Sequence, residues 1–298
     1  MILDTVNGIV IVDKEKGYTS HDVVNVVRKI FGTRKVGHTG TLDPDATGVL
    51  PICIGKGTKV CDMLTFSDKE YVARVRLGIE TDTQDISGEI IKEMPVNVTL
   101  DELEKVKENF KGDIMQIPPM YSAIKIDGKK LCDLARKGIE VERKPRPVTI
   151  YSIEISNFDG REFDMRVACS KGTYIRTLCH DIGKTLGCGA VMTELRRTKA
   201  SVFSIENAHT LGSLKQRQED GTLDDVLSPV DSVFSHLDKL EITEGIKKRI
   251  TNGAPSYINA PLGRYRIYDT DRVFLCIGEV IRDDEKNKNV LKLVKAFF

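Results

Sequence analysis

The 298-residue chain carries 45 Lys and Arg against 44 Asp and Glu, a formal net charge of +1, with seven cysteines and 40% hydrophobic residues. That balance gives no global sign of a polyanionic partner, and an odd cysteine count without any Cys-x-x-Cys argues against a zinc ribbon or a disulfide framework and for a reducing cytoplasm. The length suffices to bury about three quarters of the unfolded surface, enough for one large domain and a small one, and no apolar run approaches the roughly 18 residues that span a bilayer.

Taken in order, Met1–Asn7 lacks a basic leader and is broken by polar residues, so it does not read as a signal peptide. Gly8 to Val12 is a short apolar run, read as a buried strand that ends in Asp13-Lys14. Thr19 or Ser20 then caps a helix with Val23, Val26, Val27, Ile30 and Phe31 on one face, and Gly32 stops it. Gly37-His38-Thr39-Gly40-Thr41-Leu42-Asp43-Pro44-Asp45-Ala46-Thr47-Gly48 follows, with three glycines and a proline in twelve residues. Pro44 pushes Asp43 towards an extended conformation, which aims its carboxylate in a fixed direction. The same residues also suit a one-turn helix with Asp43 as its N-cap and Pro44 at its first position. Pro51 to Ile54 reads as a strand entering Gly55-Lys56-Gly57-Thr58-Lys59, where the Walker spacing fails and a triphosphate site is not expected.

Lys69 to Thr81 alternates, with Tyr71, Ala73, Val75, Leu77 and Ile79 on one face and Arg74 and Arg76 on the other. Thr99 to Phe110 is a surface helix opened by a Thr99/Glu102 capping box. From Tyr121 to Ile150 eight basic residues face four acidic ones, from Arg166 to Lys199 seven face two, and from Arg217 to Gly245 two face eight. Basic middle segments beside an acidic stretch fit a one-sided nucleic-acid footprint, although charge runs are also ordinary solvated faces. Arg161 to Ser170 is a second alternating strand, with Phe163, Met165, Val167 and Cys169 facing inward. A helix then carries Ile175, Leu178, Cys179, Ile182 and Leu186 on one side and closes at Gly187. Arg176 falls in its first turn, where the macrodipole disfavours a cation, so a carboxylate or phosphate partner is expected. Leu211 to Leu240 reads as polar, acidic helices with Ser228-Pro229 as a helix start. Ile242 to Phe298 reads as a small β-rich unit, with a helix from Thr243 and strands near Arg264–Tyr268, Val273–Ile277 and Val290–Leu293.

The string from Gly37 to Gly48, continued by Val49-Leu50-Pro51, resembles the signature of the TruB family of tRNA pseudouridine synthases. Asp68-Lys69-Glu70-Tyr71, Ile117-Pro118-Pro119-Met120-Tyr121-Ser122-Ala123-Ile124-Lys125, Ser170-Lys171-Gly172-Thr173-Tyr174-Ile175-Arg176-Thr177 and Leu195-Arg196-Arg197 are similar to further motifs of that family, over about residues 8–200. The resemblance implies an α+β fold: a central mixed, largely antiparallel sheet flanked by helices, plus a small β-rich C-terminal PUA-like domain. Residues 1–240 would form the catalytic domain, with an RNA-clasping insertion at about 117–147, and 241–298 a shortened PUA-like RNA-binding domain.

By the same resemblance Asp43 is catalytic, Arg176 pairs with it, and Tyr71 stacks on the target base. Tyr174 and Leu195 wall the pocket, His38 wedges into the folded RNA arm, and Lys14 lies near the cleft. Here Lys14 is followed by Glu15 where the family usually has proline. Lys125, Lys129 and Lys130, with Arg136, Arg143, Lys144 and Arg146, are candidate phosphate partners. The implied substrate is uridine 55 in the T arm of tRNA, converted in the cytoplasm by a monomer with no membrane attachment and no obligatory protein partner. The reaction breaks the N1–C1′ bond, turns the uracil and joins C5 to C1′. No electrons leave and no group is donated, so no cofactor and no metal are expected. An ionised carboxylate can serve as nucleophile or as base at the sugar, and a guanidinium beside it lowers its pKa. Two other readings stay open: a guide-RNA-dependent relative sharing the catalytic motifs, and a non-catalytic RNA-binding module in which Asp43 is only a turn residue.

Overall fold

A computed structural model of the chain describes residues 6–126 and 128–298; the reading of Met1–Thr5 as lacking a leader therefore lies outside the described residues. The main sheet has nine strands. They are β1 (Gly8–Lys14), β2 (Val36–His38), β3 (Thr47–Ile54), β4 (Lys69–Leu77), β7 (Gly112–Gln116), β10 (Arg146–Ser156), β11 (Glu162–Cys169), β12 (Ala190–Ala200) and β13 (Phe203–Ser204). Its order is β1-β3-β12-β4-β11-β10-β7, with β2 added to β3 and β13 to β12. Every named pairing in it is antiparallel except β3 with β12, where Thr47 faces Arg196 and Gly48 faces Arg197. Two small hairpins, β5 (Ile79–Thr81) with β6 (Ile90–Glu93) and β8 (Lys125–Ile126) with β9 (Lys129–Lys130), stand apart from it.

Period-two alternation sorts the strand residues between cores. On β1, Val10 and Val12 join one cluster while Ile9 and Ile11 join another on the opposite face. Helices α1 (Ser20–Ile30) and α6 (Leu211–Glu219) cover β1 and β3 through Val23, Val27, Ile30, Leu211 and Leu214. Helices α3 (Leu100–Glu108) and α5 (Ile175–Leu186) cover β4, β10 and β11 through Leu103, Ile175, Leu178 and Ile182. Each such side chain, fully buried, contributes about 1.5–3 kcal/mol. Tyr71 and Leu195 pack against both helical layers, so the seam between the two cores runs over them. The functional side chains gather on that seam.

Local signals set the element ends. Thr19 with Asp22 and Thr99 with Glu102 close reciprocal capping boxes on α1 and α3, and Gly187 ends α5 at φ +79°. The single strand expected from Lys69 to Thr81 is broken at Gly78, whose φ of +91° starts the turn into β5. The helices expected across 211–240 reduce to α6, two short 3-10 turns at Leu223–Val226 and Val230–Phe234, and the strand β14 (Asp238–Glu241). That strand is built by a partner remote in sequence: it runs parallel to β16 (Gly263–Tyr268). The C-terminal sheet then has the order β14-β16-β17-β18-β15, with β15 at Ser256–Tyr257, β17 at Phe274–Asp283, β18 at Lys288–Ala296, and helix α7 (Glu244–Thr251) against it. Ile277 and Phe297 leave this sheet to pack with Ile9, Ile11 and Val49. Helices α2 (Cys61–Thr65) and α4 (Leu131–Ala135) are each a little over one turn.

Candidate active site

The loop between β2 and β3 is built as a β-turn, not as the alternative one-turn helix. The Ala46 N–H donates to the Asp43 carbonyl at 3.1 Å, and Pro44 occupies the second turn position, where its fixed φ fits. Leu42 and Ala46 anchor it in the α1 core. The Ser20 hydroxyl receives the Leu42 N–H at 2.9 Å and donates to the Leu42 carbonyl at 3.1 Å.

Two buried cations grip the loop from opposite sides. Lys14 Nζ donates to the carbonyls of Glu15 at 3.0 Å, Tyr18 at 2.7 Å and Pro44 at 3.0 Å. Its side chain is buried beneath the turn, so it holds the residue beside Asp43 and does not face an open groove. Burial lowers its pKa, against the pull of Asp45 and Asp43. Arg197 donates from Nε to the Val49 carbonyl at 2.7 Å and from Nη2 to the Gly40 carbonyl at 3.1 Å. At Gly48, φ +101°, an added Cβ would lie 2.2 Å from the Arg197 carbonyl, so only glycine lets β3 approach β12 there.

Asp43 is left with half of its side chain accessible, and Arg176, whose side chain is 8% exposed, bonds to it. The same guanidinium donates from Nη1 to Asp85 at 3.1 Å, so it lies between two carboxylates. That arrangement offsets its placement in the first turn of α5. Asp85 is fixed in turn by the Thr83 hydroxyl at 2.9 Å and the Ser87 N–H at 3.1 Å, and the Thr177 hydroxyl donates to Gln84 at 2.7 Å. Loss of water around the carboxylate raises the Asp43 pKa; Arg176 opposes this and Asp85 adds to it. The guanidinium acts in the expected direction, but desolvation outweighs it.

Around this pair, Tyr71 on β4 is half-buried, and burial raises its phenol pKa, so the hydroxyl is neutral at pH 7. Tyr174 precedes α5, and its main chain is clamped by Gln116: the Tyr174 N–H donates to Oε1 at 2.8 Å and Nε2 donates to its carbonyl at 3.0 Å. Burial raises the Tyr174 phenol as well. Leu195 lies half-buried on β12 beside Tyr71. His38 ends β2, and burial together with Arg197 lowers its pKa, so its ring is uncharged at pH 7. Lys125, Lys129 and Lys130 are exposed on the β8–β9 hairpin, away from the Asp43 contacts and with no ion pair among the described residues.

Sequence reasoning missed Asp85, Gln116 and Arg197. Asp85 lies 91 residues from its partner, and nothing local marks it. The second arginine of Leu195-Arg196-Arg197 sits at an inward strand position, and that was its readable signal.

Residues 28–175 match the family model described as TruB family pseudouridylate synthase (N terminal domain), and residues 176–235 match tRNA pseudouridylate synthase B C-terminal domain. The chain is 45% identical to tRNA pseudouridine synthase B of Alkaliphilus oremlandii, with 98% of this chain and 99% of the relative covered. It is 44% identical to that of Clostridium tetani, covering 97% and 99%. Among solved structures it is similar to a chain of a Cbf5-Nop10-Gar1 complex, with TM-score 0.73 and 30% identity over 98% of this chain and 85% of that one. It is also similar to a chain of an H/ACA RNP bound to a substrate RNA containing 2′-deoxyuridine, with TM-score 0.72, 29% identity and shares of 98% and 85%. Both chains carry the pseudouridine synthase fold. With two family models spanning 28–235 and close relatives matched nearly end to end, the chain belongs to the TruB family of pseudouridylate synthases and is an isomerase.

Proposed function

We propose that the chain converts uridine to pseudouridine at position 55 in the T arm of tRNA, with Asp43 acting at the ribose of an extruded uridine. The single observation that carries the assignment is the Asp43–Arg176–Asp85 array on the seam over Tyr71 and Leu195. A carboxylate half open to solvent and tied to a buried guanidinium can act as nucleophile, or as base at the sugar, without a cofactor. Extruding the base costs a few kcal/mol. Stacking at about 1–3 kcal/mol per base offsets much of it, and Tyr71 with Tyr174 and Leu195 supplies that surface. His38, uncharged, serves as a wedge and not as a phosphate ligand.

Lys125, Lys129 and Lys130 hold the RNA backbone from the insertion. The C-terminal unit, taken as 241–298 with β14 pairing into its sheet, is read as a shortened PUA-like RNA contact. A cavity of about 590 Å³ there mixes Arg249, Arg282, Lys286 and Lys292 with Asp283, Asp284 and Glu285 around Tyr257. The ammonium groups of Lys286 and Lys288, 5.5 and 5.7 Å from the Tyr257 ring centre, support that reading. No helix among the described residues is long and apolar enough to cross a membrane; a monomer working in the cytoplasm completes the reading.

The guide-RNA-dependent alternative draws on the 30% likeness to a chain solved within a multi-protein complex, against 44–46% identity to relatives named as tRNA enzymes. Product mapping on a bare T-arm stem-loop with the purified chain separates them. Pseudouridine at position 55 supports the proposal; activity only with added guide RNA and proteins refutes it.

A further inference from the structure

We propose that Lys14, Lys69 and Arg197 form a cationic floor that stabilises the negative charge gathering on the uracil ring as its glycosidic bond breaks. Their side chains are 0%, 8% and 1% exposed. Burying a cation is costly unless it is paired. Yet among the described residues none of the three has a carboxylate within ion-pair distance. Each is held by neutral carbonyls: Lys14 and Arg197 as above, and Lys69 Nζ by Thr65 at 2.8 Å and Ser67 at 2.5 Å. The bonds fix the charges in place without neutralising them.

All three surround one loop. A Cβ placed on Gly40 would lie 3.7 Å from Arg197 Nη1 and 3.8 Å from Lys69 Cε, and Lys14 bonds Pro44 on the other side. Arg197 is the cross-strand partner of Tyr71 in the β12–β4 pairing, and Tyr71 lies two residues along β4 from Lys69. Lys69 and Arg197 therefore lie next to the ring on which the uracil would stack, and Lys14 adds its charge from the far side of the loop. Burial and Arg197 push the Lys69 ammonium down to about 8, so it remains charged at pH 7. The acids on this side are Asp43, Asp45, Asp85 and, beside Lys69, Asp68; Asp43 and Asp85 are engaged by Arg176, and Asp68 accepts from the Tyr151 hydroxyl at 3.0 Å.

When N1–C1′ breaks, its electron pair stays on N1 and spreads onto O2 and O4. The sugar is satisfied either by an ester bond from Asp43 or by loss of its 2′ proton to Asp43. C5 then bonds C1′ as the Asp43 ester bond breaks or as Asp43 returns the proton to C2′; the C5 proton leaves and N1 takes one up, giving the neutral base. A fixed positive field lowers the barrier to the first event because the charge develops only there.

This inference rests on the reading that the chain cleaves the uridine glycosidic bond at Asp43. The test measures single-turnover N1–C1′ cleavage in T-arm RNA carrying uridine or 5-fluorouridine at the target position, with the parent, Lys69→Met, Arg197→Lys and Arg197→Met. The fluorinated ring is the more acidic and needs less help to carry the charge. Lys69→Met and Arg197→Met are expected to slow uridine cleavage about tenfold to a hundredfold, and 5-fluorouridine cleavage only a few-fold. Arg197→Lys, which keeps the charge, leaves the ratio between substrates near that of the parent. Should Arg197→Met fail to fold, Lys69→Met alone decides. Equal slowing of both substrates would mean a structural role and overturn the proposal. A parent that cleaves neither substrate would instead refute the reading beneath it.

Discussion

Asp43 illustrates how burial and pairing compete at one side chain. Its pKa is raised because desolvation exceeds the attraction of Arg176. Between the unfolded and folded values the native state holds more protons, so stability falls as pH rises through that window, and the ionised carboxylate lowers stability at pH 7. Asp43→Asn is therefore expected to abolish turnover, by at least about 10⁴-fold, while tRNA affinity stays within a few-fold. Its melting temperature at pH 7 should be no lower than that of the parent, with the gap closing below the usual carboxylate value of 3.8. A calorimetric pH series and a binding assay check both halves; a clearly lower melting temperature at pH 7 would contradict the desolvation argument. In the parent, activity should decline on acidification at a pH above that of an ordinary aspartate. Arg176 was legible because a cation in a first helical turn asks for a partner. Asp85 was not, since its link to Arg176 exists only after the 81–87 turn folds back.

The active loop is a short element held by its ends, and its integrity depends on the parallel pairing of β3 with β12 in the main sheet. Gly48→Ala would place a methyl group against the Arg197 backbone at a φ of +101°. More than about 2 kcal/mol of stability should be lost, read as a lower denaturant midpoint, together with most activity. Thr99→Ala on α3 makes the contrast: loss of its capping box costs about 1 kcal/mol with turnover unchanged. An unaffected Gly48→Ala protein would show that the loop tolerates displacement. Strands with clean alternation, such as Arg161–Ser170, and helices with boxed starts were readable because their signals are local. The 211–240 stretch was not, because β14 takes its strand form from pairing with Tyr265–Tyr268, and the turns before it pack Val233 and Phe234 into a core shared with Ile277 and Phe297.

For the whole molecule, a net charge of +1 conceals an uneven distribution. If Lys125, Lys129 and Lys130 each neutralise one phosphate of a duplex arm, replacing all three with alanine should reduce the salt slope of log Kd by about 2.7. Turnover at saturating RNA should stay close to that of the parent. A filter-binding series from low to moderate salt measures it, and an unchanged slope would remove the insertion from the RNA footprint. The charge segregation was visible in the chain, whereas the joining of both sheets through Ile277 and Phe297 was not, because it depends on contacts more than 200 residues apart.

The most direct measurement is tritium release from T-arm RNA labelled at uracil C5, run with the parent and with Asp43→Asn at matched RNA occupancy. The parent should release one equivalent per target uridine and the variant essentially none. Release by the variant at a rate near that of the parent would remove Asp43 from the chemistry.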